Sequence, residues 1–191
     1  MAGRPRRRER PAVEDVEAAG PPEDLESVAR QILLRRLTEQ PRSRSELAAA
    51  LARKHVPEDV AQRLLDRFEE VGLVDDAAFA QAWVDSRHRG RGLGRRALSH
   101  ELRRKGIDDD VARDAVASVD EAAERDTARR LVERRADSLA NLEPVHAQRR
   151  LLGMLARKGY GAGVATEVVR DVLRRRNAEG AEPDGTSLDL P

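Results

Sequence analysis

The chain has 191 residues, of which 37% are Asp, Glu, Lys or Arg, with four aromatic residues and no cysteine. This excludes disulfides, thiolate chemistry and cysteine-based zinc sites, and it leaves the core to Leu, Val and Ala. No apolar run approaches the roughly 20 residues that cross a bilayer and no signal peptide is visible, so a cytoplasmic protein without a membrane partner is expected.

In chain order, residues 1–26 are rich in Pro, Gly, Ala and Glu and carry 5 basic and 7 acidic side chains. Such a stretch buries little apolar area, and a disordered tail is expected there. Residues 27–75 read as three short helices. Ile32, Leu33 and Leu37 mark the first, and Leu47 and Leu51 the second. Val60, Leu64 and Phe68, at i, i+4 and i+8, line one face of the third. Ser43 and Glu46 have capping-box spacing, and Pro57 suits a first helical turn.

Residues 76–120 repeat the plan with Phe79 and Trp83, then Leu98 and Leu102, then Val111, Ala115 and Val119. Asp75 and Asp108 are placed to cap two of these helices. Residues 121–176 repeat it again with Ala128, Leu131 and Val132, then Leu151 and Leu155 after Pro144, then Val164, Val168 and Val172. Residues 177–191 carry four acidic side chains and no basic one, and form a second expected disordered tail. No strand alternation is found.

The three lysines of the chain, Lys54, Lys105 and Lys158, occupy one position of this repeat, against 33 arginines elsewhere. Each follows a Leu three residues back and precedes His55, Gly106 or Gly159, residues that tolerate the left-handed conformation ending a helix. The lysine can lie along the last carbonyls, yet arginine could do the same, and the sequence offers no reason for lysine. A period of about fifty residues used three times predicts an all-α, elongated, curved modular body made of three tandem three-helix repeats. Such bodies present an extended surface to a long partner.

The net charge of +1 hides an asymmetry: residues 27–176 hold 31 basic and 24 acidic side chains. A cationic body suits a polyanion or an acidic groove. Its densest part runs from Arg87 to Lys105, with eight Arg or Lys and one acid, Glu101. Gly90, Gly92 and Gly94 in this run predict a mobile, open connection whose guanidiniums fork onto phosphates or carboxylates. The glycine spacing is not a nucleotide fingerprint, since no strand precedes it. Trp83, one turn before Arg87, reads as core packing, or as an anchor at a basic rim. His55, His88, His100 and His146 lack metal-ligand spacing and read as surface or capping residues. No nucleophile or acid/base pair stands out, so no catalytic residue, metal or cofactor is expected.

Together, the tandem units, the phrase Leu102-Arg103-Arg104-Lys105-Gly106-Ile107, the pair Trp83 and Arg87, and the join Glu69-Glu70-Val71-Gly72-Leu73-Val74-Asp75-Asp76 with Phe79-Ala80 resemble the RecX family, regulators of the RecA recombinase. The resemblance covers about residues 27–176 and departs from the pattern at His55, Gly161 and Gly163. It implies a non-enzymatic, monomeric regulator of DNA recombination and repair in the SOS response. Such a protein binds RecA directly, lodging along the groove of its filament on single-stranded DNA or blocking the growing end, with the DNA in the filament a further candidate partner, and inhibits strand exchange and ATP hydrolysis. The contact face expected from charge and position comprises Trp83, Arg87, Arg89, Arg91, Arg95, Arg96, Arg103, Arg104 and Lys105. A rival reading is a helix-turn-helix transcription regulator, because Ser43-x-Ser45-Glu46-Leu47 resembles the start of a recognition helix. An enzyme acting on DNA ends is a second rival.

Overall fold

The structure, a computed structural model, describes residues 22–179; the remainder of both expected tails lies outside it. The described residues form nine α-helices and no strand: α1 (Pro22–Glu39), α2 (Arg44–Ala52), α3 (Glu58–Glu70), α4 (Asp76–Arg91), α5 (Arg95–Arg104), α6 (Asp109–Ala117), α7 (Glu121–Ala136), α8 (Pro144–Arg157) and α9 (Ala162–Glu179). A 3₁₀ turn, Asp137–Leu139, follows α7. Helix α1 begins inside the stretch assigned to the first tail, and α9 runs three residues into the second.

Local chemistry explains the helix ends. Ser43 accepts from the Glu46 N–H, and the Glu46 carboxylate accepts from the Ser43 N–H, which completes the capping box of α2. Asp108 caps α6 and Asp120 caps α7 through their carboxylates. At the second helix of every repeat the chain leaves through a left-handed residue: His55 at φ 58°, Gly106 at 71° and Gly159 at 84°. The next residue returns its N–H to the carbonyl five back, Val56 to Leu51 (3.2 Å), Ile107 to Leu102 (3.2 Å) and Tyr160 to Leu155 (3.1 Å). This is the Schellman arrangement, and its apolar residue drops into the core.

Each repeat encloses its own core, and the recurrent leucine pair lies at the centre of it. Leu47, Leu51, Leu98, Leu102, Leu151 and Leu155 are all 0% exposed. Around them gather Leu33, Leu65 and Phe68 in the first repeat, Phe79, Val84 and Val116 in the second, and Val132, Val168 and Val169 in the third. Truncating one such leucine to alanine costs about 2–5 kcal/mol, since the void does not fully collapse. The contacts divide the chain at Asp75/Asp76 into two compact units, so the second and third repeats belong to one unit.

Candidate interaction surface

The arginine-rich run begins on α4, which continues through Gly90 to Arg91, and resumes on α5. The connection between them is not the mobile, open segment that its glycines suggest. Gly92 adopts φ 61° and is buried, and a Cβ there would meet Leu131 Cδ1 at 3.0 Å. A Cβ on Gly94 would lie 2.8 Å from the Gly159 carbonyl oxygen. Gly92 makes room for the Leu131 side chain, and Gly94 permits close packing of backbone on backbone.

The first turn of α5 has no side-chain cap of its own. Its exposed amides are satisfied from the third repeat instead: Gly94 N–H donates to the Lys158 carbonyl (2.8 Å) and Arg96 N–H to that of Gly159 (3.2 Å). Between them, Arg95 N–H donates to the buried Glu124 carboxylate (2.9 Å). The C-terminal turn of α8 and the N-terminal turn of α5 thus complete each other, with a carboxylate at the positive end of a helix dipole.

Polar side chains extend the joint. The Tyr160 hydroxyl donates to the Gly92 carbonyl (3.0 Å) in a buried setting. His88, far from a surface residue, is buried. Its Nδ1 lies 2.9 Å from the Leu93 carbonyl oxygen, which can only accept, so Nδ1 carries a proton. Its Nε2 meets Thr127 Oγ1 at 3.0 Å, and Arg130 donates to the same hydroxyl at 2.8 Å. Burial and the nearby Glu124 charge push the Tyr160 hydroxyl well above its ordinary pKa. Sequence reasoning missed Glu124, Thr127 and Tyr160 as joint residues; the one local signal was a lone tyrosine where the other repeats place Val56 and Ile107.

The candidate contact residues divide into two groups. In the first, Trp83 stacks on Phe79 at 5.7 Å and donates from Nε1 to Glu101 (2.9 Å). Arg87 lies 4.0 Å from the Trp83 ring centre and pairs with Glu101 at 3.3 Å, and the Lys105 ammonium stands 4.5 Å from the same ring. Arg87 is therefore half-buried and held between the Trp83 ring and Glu101. Arg89 pairs with Asp85 and Arg103 with Asp109, both in exposed positions; the Arg103 guanidinium holds the Asp109 carboxyl below its ordinary value. In the second group, Arg91, Arg96 and Arg104 are exposed and form no ion pair among the described residues, and Arg95 is half-buried with its guanidinium unpaired. Arg95, Arg96 and Arg103 edge a groove towards α6, whereas Arg96 and Arg104 border another towards α8 and α9.

The repeated lysine now has two distinct uses. Lys105 lies on an aromatic ring, and Lys158 donates from Nζ to the Arg91 carbonyl at the end of α4, where a compact ammonium suits the negative end of the dipole. At the start of α2, Ser43 is 0% exposed and Arg44 is held by Asp66 and Glu69 of α3 at 2.7 Å each. Both are turned into their own repeat, unlike side chains of a recognition helix. Among the described residues no group of His, Asp and Glu is placed to hold a metal ion, and no helix is long and apolar enough to cross a membrane.

The described residues thus form a tandem array of three-helix repeats with a partly unpaired cationic face. Three family descriptions match it in order: the first three-helix domain of RecX at residues 29–68, the second at 75–116 and the third at 123–169. The chain belongs to the RecX family. It is 53% identical over 163 residues to the regulatory protein RecX of Thermobifida fusca, covering 85% of this chain and 86% of that one. It is 50% identical to that of Streptomyces coelicolor, covering 85% and 87%. The crystal structure of RecX from Lactobacillus salivarius shares the fold, with a TM-score of 0.74 at 21% identity over 80% of this chain and 99% of that one.

Proposed function

We propose that this chain binds the RecA recombinase assembled on single-stranded DNA and inhibits strand exchange and ATP hydrolysis, so regulating recombination and repair in the SOS response. The family supports the regulatory role, since curated relatives covering most of the chain are named regulatory protein RecX. The observation that carries the surface assignment is the unpaired state of Arg91, Arg96 and Arg104 beside a connection whose backbone is fully bonded. The bonded backbone fixes where these side chains start, and the planar guanidinium fork matches carboxylate and phosphate oxygens. On this reading the protein acts as a monomeric wedge across filament subunits, in the cytoplasm, without cofactor or catalysis of its own.

The test is a pull-down of the host recombinase with and without single-stranded DNA and ATP, paired with the recombinase's ATPase rate. Capture that strengthens when the filament forms, with a falling ATPase rate, is expected. No capture under any condition, or a sequence-specific duplex footprint without recombinase, overturns the reading.

A further inference from the structure

We propose that the third repeat carries a second anion-binding site, a recess between α7 and α8 that holds the phosphates of single-stranded nucleic acid. Arg135, His146, Arg149, Arg150, Gly153 and Arg157 line it, around a volume of about 900 Å³. The four arginines are exposed and make no ion pair among the described residues. His146 lies 3.4 Å from Glu143, which is not among the lining residues. Three other recesses among the described residues include a carboxylate in their walls, Glu101, Glu46 or Asp109; this one includes none. Like charges gathered around a hollow with no acid among them favour an anionic occupant.

Gly153 is the independent sign of a ligand. It stands inside α8, where glycine costs about 1 kcal/mol relative to alanine. Nothing in the fold requires it: a Cβ there would meet only the mobile end of Arg157, at 3.4 Å, and its φ is not left-handed. The glycine leaves the floor of the hollow bare between Arg149 and Arg157, and such a gap admits close approach of another chain.

The occupant's chemistry follows from the walls. Arg157 borders both this recess and the groove that contains Arg96 and Arg104, so unpaired cations continue from one hollow to the next. A partner that follows this strip needs negative charge at every step, which a phosphodiester backbone has whatever its sequence. Arginine forks onto its oxygens. No Phe, Tyr or Trp lines the recess, so bases gain no large stacking platform there and binding is independent of sequence.

The experiment measures anisotropy of a labelled oligothymidylate with the full chain over a salt series, with no recombinase present. Its outcome is therefore separate from that of the recombinase assay. Arg149→Gln with Arg150→Gln should weaken binding about tenfold and lower the salt slope by about 1.4, since each single-strand phosphate contact contributes about 0.7. Gly153→Ala should weaken binding while the unfolding temperature stays level or rises, a combination that a merely structural glycine does not give. Arg35→Gln with Arg53→Gln, an equal charge change in the first repeat, should have a small effect. The proposal is overturned if the two double variants lose affinity equally, or if Arg149→Gln with Arg150→Gln changes neither affinity nor slope. It is equally overturned if polyglutamate competes as well as oligothymidylate at matched charge, which would make the recess a site for acidic peptide.

Discussion

Tyr160 of the third repeat donates its hydroxyl to the carbonyl of Gly92 in the second, 3.0 Å away and shielded from water. With Glu124, which accepts from the Arg95 N–H, it joins the two repeats by satisfying backbone groups of the second from side chains of the third, and His88 adds a side-chain link to Thr127.

Tyr160→Phe should therefore destabilise the second unit by about 1–3 kcal/mol, the cost of stranding a buried carbonyl without its donor. Urea unfolding followed by circular dichroism checks this, with helix content in water unchanged. A loss below measurement error would mean that water replaces the hydroxyl.

Alkaline pH should act through the same group. The folded-state pKa of Tyr160 is raised by burial and by Glu124, against about 10 in the unfolded chain. The folded state then holds its proton more tightly, so stability is fully present below the unfolded value and falls as pH rises above it. Tyr160 is the one tyrosine of the chain, so ultraviolet absorption of tyrosinate reads it directly. Titration near the ordinary value in the folded protein would contradict the burial.

Gly159→Ala and Gly72→Ala separate conformational strain from packing. Both glycines have positive φ, at 84° and 71°, and an alanine costs about 1–2 kcal/mol in that region. Around Gly72 nothing lies within 4 Å, whereas a Cβ on Gly159 would fall 2.3 Å from the Ala97 backbone nitrogen. The Gly159 variant should lose distinctly more stability in thermal unfolding, because the α5–α8 joint must open.

Reversing Arg91, Arg96 and Arg104 to Glu should leave folding nearly intact, as exposed charges contribute about 0–1 kcal/mol each, and should abolish inhibition of the recombinase ATPase. Arg35, Arg53 and Arg175, also exposed and without ion pairs among the described residues, form the matched control. Inhibition by the native chain should weaken steeply as salt rises, because screening acts over roughly 8–10 Å. Equal loss in both triple variants would reduce the effect to net charge.

A chain trimmed to residues 22–179 should keep its helical signal and its inhibition. The trimming points follow α1 and α9 and spare the ion pair of Arg176 with Asp137. Loss of inhibition with the fold intact would show that a terminal segment takes part in binding.

The sequence by itself determined the helical class, the threefold repeat, the leucine pairs at the core centres and most helix ends. Helix periodicity, the Ser43–Glu46 box and the left-handed positions at His55, Gly106 and Gly159 rest on interactions within a few residues, and neighbours in sequence suffice to read them. Tertiary structure alone decided which basic residues are spoken for and where repeats join. The glycines at 92 and 94 look like flexibility until Leu131 of α7 is seen to press against the first and the turn after α8, more than sixty residues away, against the second. Lys105 and Lys158 share a repeat position but meet an indole in one case and a helix end in the other. Arg135, Arg149, Arg150 and Arg157 show no cluster as dense as the one after Arg87, and they share one hollow only because α7 packs beside α8. Charge density along a chain is a local property, whereas the pairing of those charges depends on which helices meet.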